Sequence, residues 1–310
     1  NLELTHDQKG NNDLLSITRP DIVRAIHSAY LEAGADMIET NTFSATRISM
    51  ADYGCEHLVR ELNLESAKLA RACCDEFEVR DGKRRFVAGS IGPTNKTLSL
   101  SPDVNDPGFR EIDFDYLKNV YREQCDALIE GGVDFLLIET IFDTLNAKCA
   151  AMAAQEAADA CGRDVPLMIS MTITDMAGRN LSGHTVEAFW AAIRHVKPLT
   201  VGLNCSFGAD LLRPHLAALA KQADVLIMAY PNAGLPNELG QYDELPAETA
   251  TLIEAWLDDG LVNVVGGCCG TTPAHIAAIA KAVEDRAPRQ IPQPPVLTRL
   301  AGLEPFIMAA

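Results

Sequence analysis

The sequence is poor in basic residues. Its 310 residues include 26 Lys and Arg against 43 Asp and Glu, which gives a formal net charge of −17 at pH 7. A protein that binds a phosphate backbone needs a surplus of positive charge. We therefore expect no nucleic-acid partner.

Long hydrophobic runs are also missing. Apolar stretches such as 135–138 and 262–265 are broken by polar residues well before the ~18 consecutive positions that a membrane-spanning helix requires. No secretory signal peptide opens the sequence. Hydrophobic residues nevertheless make up 47% of the composition, which is typical of a globular protein with a substantial core and excludes disorder as the main state. We expect no membrane partner.

The cysteines do not suggest a disulfide scaffold. Nine cysteines are few for a chain of 310 residues, and an odd number that includes the adjacent pairs Cys73–Cys74 and Cys268–Cys269 is typical of reduced thiols. This pattern predicts a cytoplasmic protein whose thiols are free to bind a metal.

Short apolar runs alternate with helix-like segments along most of the chain. Seven runs are predicted to be strands: 35–41, 85–92, 133–140, 166–173, 199–204, 224–230 and 261–267. Eight segments are predicted to be helices: 20–33, 56–77, 115–130, 144–160, 185–194, 210–221, 247–258 and 273–284.

This alternation favours an α/β fold, a (β/α)8 TIM barrel, over a doubly wound open sheet. No Gly-x-Gly-x-x-Gly signature follows any of the runs, which weakens the second alternative. A closed barrel needs eight strands, and the first dozen residues here are polar. We therefore expect the first strand to lie upstream of Asn1.

The chain changes character after residue 286. The proline-rich stretch Pro-Arg-Gln-Ile-Pro-Gln-Pro-Pro at 288–295 cannot form a helix and favours an extended conformation. The sequence thus predicts a barrel domain over 1–286 and a semi-rigid linker over 287–310 that leads to a further domain.

Three cysteines directly follow predicted strands. Cys205 follows the run 199–204, and Cys268 and Cys269 follow the run 261–267. In a barrel the loops after the strands converge on one mouth. Adjacent residues on a strand point to opposite faces of the sheet. Cys268 and Cys269 can therefore share a metal only if the backbone has left the strand. The glycines at 266, 267 and 270 permit such a turn.

Three thiolates would leave one coordination position open, which is typical of catalytic rather than structural zinc. A zinc ion with three thiolates activates water poorly but can hold a fourth thiol as thiolate. Thiol alkylation is therefore favoured over hydrolysis. From the residues alone, three small buried side chains remain the alternative. The six cysteines in or beside predicted helices are expected to be core residues: Cys55, Cys73, Cys74, Cys125, Cys149 and Cys161.

The two cysteine motifs, Gly-Leu-Asn-Cys at 202–205 and Gly-Gly-Cys-Cys-Gly-Thr-Thr-Pro at 266–273, resemble those of the homocysteine S-methyltransferase family. Further segments resemble the homocysteine-binding module of the cobalamin-dependent methionine synthases, a branch of that family: 39–43, 92–94, 101–107, 138–140 and 231–237. The family's first strand ends in an Asp-Gly-rich segment that helps to bind the amino acid, and this sequence contains none.

The resemblance implies a site. Zinc would be bound by Cys205, Cys268 and Cys269, with the homocysteine sulfur as fourth ligand. Glu139 would bind the homocysteine ammonium, although a salt bridge or a helix-end contact is the alternative for an ionised glutamate at a strand end. The amide oxygen of Asn232 would fill the open zinc position when no substrate is bound, unless Asn232 merely belongs to a turn.

Two further residues, Asn41 and Thr42, are expected to line the mouth and contact the substrate. The implied function is methyl transfer from methylcobalamin, held by a cobalamin-binding domain of the same protein, to homocysteine, which gives methionine. A folate-binding domain would follow the linker. One alternative is a stand-alone methyltransferase that uses betaine or S-methylmethionine. Another is a non-catalytic barrel with a structural zinc, which would require a fourth protein ligand beside Cys205 or Cys268.

Overall fold

A computed structural model describes residues 6–308, and all structural statements below concern this part of the chain. It contains one seven-stranded sheet whose strands follow each other in sequence order. The strands are β1 (Met37–Glu39), β2 (Phe86–Ile91), β3 (Phe135–Ile141), β4 (Leu167–Met171), β5 (Thr200–Asn204), β6 (Leu226–Tyr230) and β7 (Val264–Val265). Each predicted run overlaps one of them, and only β3 extends beyond its run, by one residue, so the prediction of seven strands is confirmed.

The sheet is parallel in the pairs β1–β2, β2–β3, β4–β5, β5–β6 and β6–β7. A doubly wound sheet reverses its strand order at a switch point, and this order contains no reversal between β1 and β7. The α/β fold with a parallel sheet is therefore confirmed and resembles that of a TIM barrel. The closed barrel of eight strands stays a prediction, because its first strand would lie outside the described residues.

Helices connect the strands. They are α1 (Leu15–Thr18), α2 (Pro20–Glu32), α3 (Arg47–Ala51), α4 (Val59–Asp81), α5 (Phe114–Glu130), α6 (Thr144–Cys161), α7 (Val186–Ile193), α8 (Ala209–Gln222), α9 (Pro246–Asp258) and α10 (Pro273–Val283). All eight predicted helices are present. The short helices α1 and α3 were not predicted, because four or five residues carry too little periodicity. Among the described helices, none is both long and apolar enough to span a membrane.

The chain divides into two compact units. Unit 1 comprises the residues up to Ile138 together with Leu145–Leu167, and unit 2 comprises Glu139–Thr144 and the chain from Met168 onward. In unit 1, α4 packs against α1, α2, α5 and β2. In unit 2, β5 and β6 approach so closely that a Cβ at Gly202 would clash with the carbonyl oxygen of Met228. Glycine is therefore required three residues before Cys205.

The segment after α10 packs onto unit 2. It has no helix or strand over 286–298, as expected of a proline-rich stretch. A hairpin of β8 (Arg299–Ala301) and β9 (Pro305–Ile307) follows and contacts α7. Arg289 is buried and donates hydrogen bonds to the carbonyl oxygens of Ala220, Ala223 and Val225. The hairpin was not predicted, and the domain boundary at residue 286 stays a prediction.

Candidate metal centre

Three thiols converge in unit 2. The sulfur atoms of Cys205, Cys268 and Cys269 all lie within 4.8 Å of one another. The distance from Cys205 Sγ to Cys269 Sγ is 3.8 Å, and that from Cys268 Sγ to Cys269 Sγ is 4.0 Å. The structure thus brings together the three cysteines that the sequence placed after two separate strands.

These distances fit a tetrahedral metal ion. A Zn–S bond of about 2.3 Å places two ligand sulfurs about 3.8 Å apart. A disulfide would require a separation of about 2 Å, and all nine cysteines are free. Within 6–308 this is the one group of three histidine, cysteine or acidic side chains that could hold a metal ion. The donor set and its spacing fit zinc.

Cys205 lies in a strained turn at the end of β5. Cys205 and Ser206 both have φ of 63°, which is uncommon for residues other than glycine and has an energetic cost that neighbouring contacts must offset. The backbone N–H of Cys205 donates to Tyr230 O at 3.2 Å. The Ser206 hydroxyl donates to Ile173 O and lies 2.8 Å from Thr172 Oγ1. These contacts fix the turn that directs the first cysteine.

Cys268 and Cys269 lie in a second turn, because β7 ends at Val265. The N–H of Cys268 donates to Pro231 O at 2.7 Å, and Ala233 N–H donates to Cys269 O at 2.9 Å. Gly270 has a φ of 79°, and a Cβ there would clash with Tyr242. The backbone has therefore left the strand, which is the condition for the two adjacent thiols to share a metal.

The cluster stabilises negative charge. Hydrogen bonds from the Cys205 and Cys268 thiols lower the pKa of Cys269. Hydrogen bonds to Cys205 and Cys269 raise the pKa of Cys268. Burial, and then the negative charge of the nearby cysteines, raises the pKa of Tyr242 to about 12. Three neighbouring thiols, of which Cys269 ionises most readily, are well suited to bind a divalent cation.

Glu139 is buried near the end of β3, with 4% of its surface exposed. Its Oε2 accepts a hydrogen bond of 3.1 Å from the Tyr230 hydroxyl. Because Tyr230 O also accepts from Cys205 N, this tyrosine connects the carboxylate to the first cysteine turn. Sequence reasoning missed Tyr230. Like Glu139, Tyr230 is a polar residue at the end of an apolar run, and this position could have marked it as a site residue.

Asn232 is buried next to the second turn, with 3% exposure. Its Oδ1 accepts a hydrogen bond of 3.2 Å from the backbone N–H of Cys269. An amide oxygen has a second lone pair. The structure thus gives Asn232 a supporting contact with a cysteine, and its role as a metal ligand stays a prediction.

Asn41 and Thr42 belong to unit 1. The Asn41 amide donates to Asn12 O at 2.9 Å, and the Thr42 hydroxyl donates to Ser90 O at 2.7 Å. Thr42 is fully buried. Both side chains thus have partners within unit 1, and their predicted contact with substrate stays a prediction.

Of the six cysteines expected in the core, five are buried. Cys161 is exposed, so the expectation is wrong there. It is the last residue of α6, where a helix leaves the core.

Comparison with known proteins identifies the family. The family model described as homocysteine S-methyltransferase matches residues 1–283. The crystal structure of the homocysteine methyltransferase MmuM from Escherichia coli in its metallated form is similar, with a TM-score of 0.70 and 24% identity over 86% of each chain.

The oxidized form of MmuM has a TM-score of 0.70 and 24% identity, and the match covers 91% of this chain and 89% of that one. The apo form has a TM-score of 0.66 and 22% identity, with 88% and 90% covered. At this level of identity the solved structures establish a shared fold. Because the family model spans nearly the whole chain, the protein belongs to the homocysteine S-methyltransferase family and is a methyltransferase.

Proposed function

We propose that this protein binds homocysteine, activates its thiol on a zinc ion held by Cys205, Cys268 and Cys269, and presents the sulfur to a methyl donor so that methionine forms. The observation that carries this proposal is the triangle of three free thiols with sulfur separations of 3.8 and 4.0 Å. A site with three protein ligands leaves one position for substrate.

The thiol needs activation because a free thiol, with a pKa of about 8.5, is only a few per cent thiolate at pH 7. When bound, zinc keeps a coordinated thiol deprotonated at neutral pH. The three cysteines hold the ion. The Asn232 amide oxygen, which accepts a hydrogen bond from Cys269 N, would supply the fourth ligand when homocysteine is absent.

Glu139 binds the ammonium group of homocysteine. A buried carboxylate at a strand end is stabilised by a cationic partner such as a substrate ammonium group, and the Tyr230 hydroxyl, which donates to Glu139 Oε2 at 3.1 Å, holds the carboxylate in place. Asn41 and Thr42 contribute further substrate contacts. Holding the amino acid at both ends orients the sulfur and raises its effective concentration at the methyl donor.

The transfer itself is a displacement at carbon. The homocysteine thiol would release its proton to solvent as it binds. Its sulfur then forms the new bond to the methyl carbon, and the donor keeps the electron pair of the bond that breaks. In this chain, the three cysteines would hold the ion that binds the sulfur, and Glu139 would orient the amino acid.

The methyl donor is methylcobalamin, held by another domain of a longer protein that also carries a folate-binding domain and works in the cytoplasm. The segments 101–107 and 231–237 and the proline-rich stretch after residue 287 support this assignment through their resemblance to methionine synthases. A comparison of turnover with methylcobalamin, betaine and S-methylmethionine tests it. Turnover with either of the last two donors alone would assign the protein to the stand-alone branch.

Zinc X-ray absorption on the protein with and without homocysteine tests the thiol activation. We expect one zinc per chain with three sulfur ligands and one oxygen or nitrogen, and a change to four sulfurs when homocysteine binds. A four-ligand shell that homocysteine leaves unchanged would show a closed structural site and overturn the proposal.

A further inference from the structure

We propose that Asn204 is a positioning residue that fixes the ammonium-binding carboxylate of Glu139 relative to the metal-binding turn at Cys205. Through this spacing the enzyme would distinguish homocysteine from thiols that lack the amino group. The inference rests on the function proposed above and adds a specificity determinant to it.

Asn204 is the last residue of β5 and is fully buried. Its Oδ1 accepts hydrogen bonds from Thr140 N at 3.1 Å and from the Ser170 hydroxyl at 2.6 Å. Its Nδ2 donates to Thr140 Oγ1 at 2.8 Å. Two of its three hydrogen bonds thus hold one residue of β3, through the backbone N–H and the hydroxyl of Thr140.

Thr140 needs such support. Its φ is 55°, a left-handed conformation that is strained for a β-branched residue and persists only where surrounding contacts impose it. Glu139 is the preceding residue. If Thr140 relaxed to a negative φ, the backbone would turn at this point and displace the Glu139 carboxylate.

Asn204 also directly precedes Cys205, so the residue that holds Thr140 is covalently joined to a predicted metal ligand. Tyr230 makes a second connection, because its O accepts from Cys205 N and its hydroxyl donates to Glu139. Together these contacts close a ring from Glu139 through Thr140, Asn204, Cys205 and Tyr230 back to Glu139. The ring sets the spacing between the carboxylate and the first cysteine.

That spacing matters because homocysteine carries its thiol and its ammonium on one short carbon chain. Both groups can bind together only if the protein holds their two partners at a matching distance. A thiol without the amino group, such as 4-mercaptobutanoate, requires only the metal. Loss of the spacing should therefore weaken homocysteine binding and leave 4-mercaptobutanoate binding intact.

The test is the variant Asn204→Ala, loaded with zinc, with the dissociation constants of homocysteine and 4-mercaptobutanoate measured by calorimetry. The preference for homocysteine is the ratio of the dissociation constant of 4-mercaptobutanoate to that of homocysteine. We expect this ratio to fall by about tenfold or more, which is the contribution typical of a hydrogen-bonded ionic contact. Zinc stoichiometry and 4-mercaptobutanoate affinity should match those of the wild type. A crystal structure of the metal-free variant should show Thr140 with a negative φ.

Ser170→Ala is the matched control. Ser170 is as fully buried as Asn204 and donates to the same amide oxygen, but its removal leaves both bonds to Thr140 in place. The preference for homocysteine should stay at the wild-type value.

A second variant keeps the test decisive if Asn204→Ala does not fold. Thr140→Ala removes only the bond to Nδ2, so the preference should fall by about threefold, the share of one neutral hydrogen bond. A wild-type preference that persists in every folded variant, or a wild type with no preference, would overturn the positioning role alone. A wild type that holds no zinc, or binds neither thiol, would instead overturn the proposed function.

Discussion

The two units of the protein treat the same side chain in opposite ways. In unit 1, five cysteines are buried, and burial raises the pKa of each of them: Cys55, Cys73, Cys74, Cys125 and Cys149. For Cys74 and Cys149 the value reaches about 12. These thiols stay neutral and pack as small apolar side chains.

In unit 2 the three cysteines are half-buried or exposed, and hydrogen bonds from its two neighbours lower the pKa of Cys269. They lie in turns after strands rather than in helices, and each has another thiol within 4.8 Å. Backbone position and mutual proximity, more than the number of cysteines in a unit, therefore decide which thiols could hold a metal ion.

Buried carboxyl groups show a related difference. In unit 1, burial raises the pKa of Asp13 to about 6, although Ser44 N–H donates to its carboxylate. In unit 2, buried Glu139 accepts a hydrogen bond from the Tyr230 hydroxyl. In unit 1, burial thus outweighs one backbone donor and disfavours the charge of Asp13, whereas in unit 2 a hydroxyl donor lies at the carboxylate that is proposed to bind the substrate.

The largest expected effect follows from removing one cysteine in each unit. Cys268→Ala should reduce zinc content from one per chain to nearly none and lower methyl transfer by about a thousandfold or more, because two thiolates cannot replace three. Cys125→Ala should keep the zinc and lower the free energy of unfolding by about 1 kcal/mol. Metal analysis and assays of both variants check this. Full zinc content in Cys268→Ala would contradict the assignment.

The next largest effect is a difference in thiol reactivity between exposed and buried cysteines. In metal-free protein at neutral pH, Cys269 and the exposed Cys161 should react with iodoacetamide at least about a hundredfold faster than Cys125 or Cys149, since alkylation requires an accessible thiolate. Mass spectrometry of quenched samples locates the label, and zinc should protect Cys269 but not Cys161. Early labelling of Cys125 would show that unit 1 opens readily, and it would contradict the view that the buried thiols of unit 1 are inert.

The sequence predicts the features of the two units that depend on local pattern, but not those that depend on contacts between residues far apart in the chain. Seven parallel strands follow from local periodicity, and the meeting of Cys205 with Cys268 and Cys269 follows because the carboxyl ends of parallel strands share one edge. The hydrogen bonds from Asn204 to Thr140 and from Tyr230 to Glu139 were not predicted. They join residues 64 and 91 positions apart, and such pairs depend on strand register rather than on local pattern.

The positive φ values of Thr140, Cys205 and Ser206 were not predicted for a related reason. None of these residues favours a left-handed conformation by itself, whereas glycine does. The surrounding hydrogen bonds impose it.

A smaller effect concerns the buried acid of unit 1. The pKa of Asp13 is about 6 in the folded protein against a usual value of 3.8, so the folded state favours the protonated form. Its contribution to stability is complete below about pH 4 and is lost as the pH rises through 6, a change of about 3 kcal/mol.

Urea denaturation of the wild type and of Asp13→Asn at pH 4.5 and 7.5 measures this change. Between these pH values the variant should gain about 2 to 3 kcal/mol relative to the wild type. Burial lowers the pKa of His27 to about 4, so its stability contribution is lost as the pH falls. His27 is common to both proteins and cancels in the comparison. An equal pH dependence in both would mean that Asp13 is solvated.

The smallest effect concerns Glu139, one of the buried acids of unit 2. Glu139→Gln keeps the shape of the side chain and an acceptor for the Tyr230 hydroxyl, but it removes the charge that is proposed to bind the ammonium group. The KM for homocysteine should rise by about thirtyfold, or about 2 kcal/mol, at unchanged zinc content. The exposed Glu238→Gln is the control and should leave the KM unchanged. If Glu139→Gln instead lowered only the free energy of unfolding, the buried carboxylates of both units would be structural, and the difference between the units would rest on the cysteines alone.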